Sequence, residues 1–147
     1  MESKLRESQY KVLNCIVFTN EKLFRFGITQ SPLYTFCQKE YESMEHLLFS
    51  CNVSREFWKE VLPWLRDNDI NVGELKEADL VFYKFDIRDD STLINHILSW
   101  GKHCIYFQKC QNAKPSLEGF ISKTKRVYSF ELRIARERDI LFYHLKK

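Results

Sequence analysis

The sequence predicts a mainly α-helical fold. Glycine and proline, which interrupt regular structure most often, number only 4 and 3 in 147 residues. Apolar residues recur at helical spacing over most of the chain, and the run Leu80–Phe85 alone has a strand-like composition. Hydrophobic residues make up 44% of the chain and charged residues 29%, which is ordinary for a folded globular protein. We therefore expect a single domain over residues 1–147.

The first helix is predicted from about Lys4 to Phe18. One face of this segment carries six residues at helical spacing, which are Leu5, Gln9, Val12, Leu13, Ile16 and Val17. Thr19 is a suitable N-cap for a short helical turn over residues 20–26. Gly27 is expected to end that turn, because glycine readily adopts the left-handed backbone conformation that follows many helices.

The next segment contains a loop and a short helix. Ser31 and Pro32 open the loop, and Ser43 is expected to cap a helix that carries Met44, Leu47 and Leu48. His46 lies inside this helix and Cys51 just beyond it. The two side chains therefore meet only if the chain turns between them.

Two longer helices and a connector follow. Asn52 is expected to cap a helix over residues 53–65, and Pro63 should kink or end it. We interpret residues 67–90 as a buried connector, with Asp89 and Asp90 as a helix cap.

The longest helices are predicted in the carboxyl-terminal half, over residues 91–110 and 117–145, with a break at 114–116. Their apolar stripes are the widest in the chain, so we expect the two helices to pack together.

Charge is distributed unevenly along the chain. Residues 1–99 contain 12 Lys and Arg and 16 Asp and Glu, a net charge of −4, whereas residues 100–147 contain 11 and 4, a net charge of +7. A basic part of this kind favours contact with phosphate groups, although a solvated helix face gives the same pattern. The residues expected on this basic surface are Lys102, Tyr106, Lys109, Lys123, Lys125, Arg126 and Arg133.

The cysteine count and the apolar runs indicate an intracellular protein in the cytoplasm or nucleus. Five cysteines is an odd number, which does not suit a disulfide framework. The amino terminus lacks the pattern of a secretory signal, and no apolar run approaches the roughly eighteen residues that cross a bilayer. We expect reduced thiols and no membrane partner.

Three side chains that bind zinc lie close together in the sequence. Cys37, His46 and Cys51 fall within fifteen residues, and thiolate and imidazole are preferred zinc ligands. A structural zinc site needs four ligands. Tyr34 occupies the position of a fourth, although a phenol with an ordinary pKa near 10 is a poor ligand. The alternative is that both cysteines are small buried residues and His46 is a core histidine.

The segment around these ligands resembles the zinc-binding segment that follows the reverse transcriptase in LINE-like, non-LTR retrotransposons. That family has a Cys-x-x-Cys pair, a His, a Cys after four further residues and then an aromatic pair. Cys37, His46, Cys51 and the Phe57–Trp58 pair match this pattern, and Tyr34 stands in place of the first cysteine. Further similarity lies in residues 9–13, 19–27, 114–120, 128–135 and 144–147.

The resemblance implies a carboxyl-terminal region of such a polyprotein, without its endonuclease or polymerase. It implies a knuckle-like segment over residues 31–58, with zinc held by Cys37, His46 and Cys51, and a basic helical part over residues 91–147. We expect the three ligands to lie within a few ångströms of one another. The family also implies binding to RNA or another single-stranded nucleic acid.

Enzymatic activity is not expected. The sequence contains no phosphate-binding glycine loop, no Gly-x-Ser-x-Gly and no His-Glu-x-x-His. Two functions remain open, which are nucleic-acid binding and interaction with an acidic protein partner through the basic helix.

Overall fold

The computed structural model describes residues 3–68, 70 and 91–126, without the side chains of residues 5 and 91–93. The protein is mainly helical, as predicted, and no strand longer than a single bridge occurs among these residues. Contacts along the chain divide it into two units, Met1–Leu117 and Glu118–Lys147. The helices of the first unit are α1 (Ser3–Leu13), α2 (Asn20–Arg25), the π-turn (His46–Ser50), α3 (Asn52–Asp67) and α4 (Ser91–Cys110).

Helix α1 ends five residues earlier than predicted. The backbone at Cys15 is left-handed, with φ of 53°, and this conformation cannot continue a right-handed helix. The Asn14 side-chain amide donates to the Tyr10 carbonyl at 2.9 Å. Gln9, Val12 and Val17 are buried as expected, whereas Ile16, predicted to face inward, is 47% exposed. The early helix end changes the direction of the residues that follow it.

Helix α2 begins and ends where its capping residues predict. Thr19 is the N-cap and has an extended backbone, although its side chain makes no capping hydrogen bond. Gly27 follows the helix with φ of 69°. The Gly27 and Ile28 amides donate to the carbonyls of Phe24 and Leu23, so the last turn closes on itself.

A short hairpin over residues 32–42 connects α2 to the π-turn. Leu33 and Tyr41 form an antiparallel bridge, and the Glu42 amide donates to the Pro32 carbonyl at 2.8 Å. The Tyr34 amide donates to the Glu40 carbonyl at 3.0 Å. These bonds close the tip of the hairpin over residues 35–39, where Cys37 lies.

Helix α3 begins after Cys51, which is its N-cap, so the helix starts one residue earlier than predicted. Of the two effects expected of Pro63, a kink or an end, the helix end does not occur, because α3 continues to Asp67. Phe57, Trp58, Val61 and Leu65 form the buried face of this helix.

Helix α4 is the central element of the first unit, and α1 and the π-turn pack against it. Its predicted bounds are confirmed, and Ile94, Ile97, Leu98, Cys104 and Ile105 are buried. Helix α3 approaches α4 at Gly101, where the Trp58 ring fills the space that a side chain would need. The Trp58 indole N–H donates to the Leu48 carbonyl at 2.9 Å. One tryptophan thus connects α3 to both α4 and the π-turn.

Residues 117–126 are helical, and all of them except Leu117 belong to the second unit. The Thr124 hydroxyl donates to the Phe120 carbonyl at 2.8 Å. The predicted connector, the Asp89–Asp90 cap and the continuation of the last helix to residue 145 lie outside the described residues, so its packing against α4 stays a prediction. Among the residues that are described, no helix combines the length and the apolar character needed to cross a membrane.

Candidate metal centre

The hairpin tip presents the Cys37 thiol to backbone N–H groups. Gln38 has a left-handed backbone, with φ of 53°, and its amide donates to the Tyr34 carbonyl at 2.9 Å. Partial burial raises the pKa of Cys37, but the amides of Lys39 and Glu40 and the side chains of His46 and Cys51 together lower it to about 7. The tight turn therefore stabilises a thiolate at near-neutral pH, which is the form that binds metal.

The π-turn determines where His46 and Cys51 lie. The Ser43 hydroxyl accepts a hydrogen bond from the His46 amide at 3.0 Å, which confirms Ser43 as the cap of this segment. The Cys51 amide then donates to the His46 carbonyl at 3.1 Å, across five residues. In a regular α-helix, residues five apart point about 140° away from each other. The widened turn brings Cys51 back to the side of His46.

The three predicted ligands converge, as expected. The thiol sulfurs of Cys37 and Cys51 and a ring nitrogen of His46 lie within 4.8 Å of one another. The Cys37 Sγ and His46 Nε2 atoms are 3.2 Å apart. Ligand atoms around a tetrahedral zinc ion are separated by about 3.5–3.8 Å, given its bond lengths to sulfur and nitrogen. The donor set and its spacing therefore fit zinc at three of four positions.

A carboxylate and a hydroxyl orient the His46 ring. Its Nδ1 atom lies 3.2 Å from a Glu40 carboxylate oxygen and 3.5 Å from the Ser50 hydroxyl. A donor hydrogen bond from Nδ1 leaves Nε2 with its lone pair directed at Cys37. Carboxylates commonly orient metal-binding histidines in this way. No local sequence pattern marks Glu40, because its approach to His46 depends on the hairpin closing.

Cys51 and Tyr34 form the buried side of the cluster. Burial raises the pKa of Cys51, and the nearby Cys37 raises it further. Tyr34 is fully buried, and burial together with the neighbouring Cys51, Glu42 and Cys37 raises its pKa above the ordinary value. Its ring packs edge-on against His46, with centroids 5.7 Å apart. The Tyr34 phenol is therefore neutral, and a neutral phenol is a poor metal ligand.

A buried ion pair lies beneath the hairpin. Glu42 is fully buried, and its Oε1 atom accepts from the Asn20 amide at 2.9 Å and lies 2.8 Å from Lys109 Nζ. Burial raises the pKa of Glu42, while Lys109 and the Asn20 amide oppose this effect. No local sequence pattern marks Glu42, because its partners come from distant parts of the chain.

The row of Lys102, Tyr106 and Lys109 is not on an exposed surface of α4. Lys102 is 2% exposed, and burial lowers its pKa to about 8. Tyr106 is half-buried, and burial raises its pKa to about 12, with Cys110 contributing. Lys109 lies in the Glu42 ion pair. Helix α4 contains no charged residue other than these two lysines, and an almost uncharged helix is typically buried on most sides. That composition is the signal that could have revealed their burial.

The basic residues of the second unit are placed differently. Lys125 and Arg126 are exposed and Lys123 is half-buried on the helical segment 117–126. Arg133 lies outside the described residues. Nucleic-acid binding by these residues stays a prediction.

The fold and the site together define a helical protein in which a hairpin and a π-turn bring together a Cys-His-Cys group that could hold a metal ion. Residues 1–58 match the sequence model of the family described as zinc-binding in reverse transcriptase. This match includes all three ligands and ends at Trp58. No curated protein and no solved structure matches the chain. The first part of the chain is therefore similar to a zinc-binding region associated with reverse transcriptases.

Proposed function

We propose that this chain is a nucleic-acid-binding module, selective for single-stranded RNA, that derives from the carboxyl-terminal region of a LINE-like retrotransposon polyprotein and has no catalytic activity of its own. The convergence of Cys37, His46 and Cys51, inside the segment that matches the zinc-binding family, carries this proposal. The module works inside the cell, in the cytoplasm or the nucleus.

The role of the metal in this proposal is structural. Cys37, His46 and Cys51 would hold zinc, which would supply a cross-link between the hairpin tip, the π-turn and the start of α3. The chain itself contributes the orientation of His46 through Glu40 and the thiolate-stabilising amides at the tip. His46, Cys51 and the neighbouring Tyr34 are buried, which favours a structural role because a catalytic zinc keeps a coordination position open to water or substrate.

Nucleic-acid contact is assigned to the basic second unit. Lys125 and Arg126 are exposed, and Lys123 and Arg133 are placed near them in the sequence. The net charge of +7 over residues 100–147 supports attraction to phosphates. Retrotransposon proteins act on single-stranded RNA, whose unpaired bases are accessible for stacking.

The experiment is a salt titration of single-stranded RNA binding by the native protein and by an Arg126→Glu, Arg133→Glu variant. We expect weaker binding of every RNA sequence, and a shallower salt dependence by nearly one unit of slope per lost phosphate contact. An Arg55→Glu, Arg66→Glu variant is the matched control, because it makes the same charge change at two exposed positions of α3. Equal affinity and slope for the native protein and the Arg126, Arg133 variant would contradict the proposal.

The second candidate is a protein-interaction domain without nucleic-acid binding, in which the basic helix contacts an acidic partner. Exposed apolar side chains around α2 favour a protein contact, because solvent-exposed aromatic residues in one segment often mark an interaction site. Phe18, Phe24, Phe26 and Ile28 are each about half exposed or more. Absence of RNA binding at low salt would favour this candidate.

A further inference from the structure

A cavity of about 240 Å³ opens between α1 and α4 in the first unit. Its apolar side is formed by Val12, Val17 and Leu48, which are buried. The cavity lies apart from the metal ligands, none of which lines it. It is smaller than most sites for drug-sized ligands, so it suits a single small group.

The charged residues around the cavity are mostly cationic. Lys4, Lys11 and Lys102 line it together with one acidic residue, Glu7, which pairs with Lys11 at 2.6 Å. Lys4 is exposed at the rim, whereas Lys102 is 2% exposed. The Ser8 hydroxyl adds a neutral hydrogen-bonding group. This arrangement favours a ligand with a negative charge near its edge.

Two aromatic side chains complete the lining. His103 and Tyr106 both come from α4, where His103 follows Lys102 directly and Tyr106 lies about one turn beyond Lys102. The His103 ring is fixed in place, because it stacks on Phe107 with centroids 6.1 Å apart and contacts Trp100 edge-on at 5.6 Å. Flat aromatic groups next to lysines are the combination that binds unpaired bases and their phosphates.

We propose that this cavity binds one nucleotide unit, with the base against the apolar side and the aromatic rings and the phosphate toward Lys4, Lys11 and Lys102. This inference rests on the proposed nucleic-acid function and adds a base-binding subsite to it. The same chemistry is offered by a nucleotide within a single strand and by a free nucleoside monophosphate. The small volume favours one unit of a strand whose remainder lies outside the cavity.

The test measures binding of a short fluorescent single-stranded RNA and of a matched strand that lacks bases but keeps its phosphates. We expect the native protein to bind the base-containing strand about tenfold more tightly, which is about 1.4 kcal/mol. A Ser8→Phe variant, which fills the cavity, should reduce this ratio to about one. A Lys4→Glu variant should weaken binding of both strands. Arg6→Glu is the control, because it makes the same charge change on α1 at a position that does not line the cavity.

Competition identifies the source of the nucleotide. Uridine monophosphate should displace the RNA from the native protein, whereas inorganic phosphate at the same concentration should not. Displacement of RNA by the monophosphate from native protein, but not from Ser8→Phe, supports the cavity as the binding site. If the monophosphate binds tightly and the RNA does not, the cavity is a site for a free nucleotide. Circular dichroism establishes whether Ser8→Phe is folded. If Ser8→Phe does not fold, Lys4→Glu still tests the cavity, because it changes an exposed residue at the rim.

Two results would overturn the inference. One is an equal preference for base-containing RNA in the native protein and in folded Ser8→Phe. The other is equal effects of Lys4→Glu and Arg6→Glu. If the Arg126, Arg133 variant still weakens RNA binding in these cases, the proposed function stands without the cavity. If the native protein does not bind RNA at all, both the cavity inference and the proposed function are contradicted.

Discussion

Glu42 and Lys109 form a buried ion pair between the hairpin and α4, with Oε1 and Nζ 2.8 Å apart. The Lys109 side chain is 9% exposed and that of Glu42 is fully buried. Because the hairpin carries Cys37, this pair also determines where the metal centre lies relative to the central helix. Removing one partner would leave the other charge buried.

We therefore expect Glu42→Gln to lower the free energy of unfolding by about 3 kcal/mol, because Lys109 loses its counter-charge while the glutamine still accepts from the Asn20 amide. Lys109→Met should have a similar effect. The double variant should be closer to the native stability than either single variant. Urea unfolding of the four proteins measures this coupling.

The exposed Glu7–Lys11 pair is the control for this cycle, and Glu7→Gln should leave stability almost unchanged, because exposed ion pairs contribute little. Additive effects of Glu42→Gln and Lys109→Met would show that the buried pair contributes no coupling.

Tyr34→Cys is expected to strengthen zinc binding at least about tenfold, because it restores the fourth ligand. Without zinc the variant should be less stable by about 3 kcal/mol, since a large buried side chain is lost. Competition with a colorimetric chelator measures the affinity, and unfolding with and without zinc measures the stability.

Tyr41→Cys adds a thiol at an exposed position of the same hairpin and serves as the control. It should not change zinc affinity. If the native protein retains one zinc per chain through dialysis against a chelator, the tyrosine at position 34 does not weaken zinc binding.

Lys102→Met should stabilise the protein near neutral pH. Burial lowers the pKa of Lys102 from 10.5 to about 8, so between these values the unfolded chain holds a proton that the folded protein has released. Stability of the native protein must then rise with pH across this window. The advantage of the methionine variant, up to about 3 kcal/mol at pH 7, should shrink between about pH 8 and 10.5.

Urea unfolding of both proteins at pH 7, 9 and 10.5 tests this dependence, with Lys125→Met as the exposed control. A constant difference between Lys102→Met and native protein over the whole range would contradict the burial effect on Lys102.

Gly101→Ala should destabilise the protein by about 1–3 kcal/mol, although alanine is the better helix former. A Cβ atom at this position would overlap the Trp58 ring, with one ring carbon, Cζ3, at 2.7 Å. A smaller ring at position 58 removes the overlap, so Gly101→Ala should be less harmful in a Trp58→Phe background. Thermal unfolding of the single and double variants measures the difference. Equal effects in both backgrounds would exclude the clash as the cause.

Local signals in the sequence predicted much of the structure. Helix α4, the Thr19 and Ser43 caps and the end of α2 at Gly27 depend on neighbouring residues, so they were read correctly. Two features were not predicted, the left-handed backbone at Cys15 and the continuation of α3 through Pro63. Both run against the usual preference, because residues other than glycine rarely adopt a positive φ and proline rarely lies inside a helix.

The three candidate metal ligands were predicted from the sequence, but the residues that surround and support them were not. Cys37, His46 and Cys51 are recognisable from residue type and spacing. The supports from Glu40 and Glu42 depend on contacts between segments, and periodicity along one helix does not report such contacts. For the same reason, the burial of Lys102 was not predicted.

The π-turn makes the length of one short segment a requirement for assembling the metal centre. His46 and Cys51 share a hydrogen bond across five residues, so inserting one residue into 47–50 would place the thiol six residues from His46, about 120° away around a regular helix. Substitutions within this segment preserve the spacing, whereas an insertion does not. The same insertion would also rotate the beginning of α3, because Cys51 is its first cap. Variation in chain length is therefore tolerated poorly here, irrespective of which residues are present.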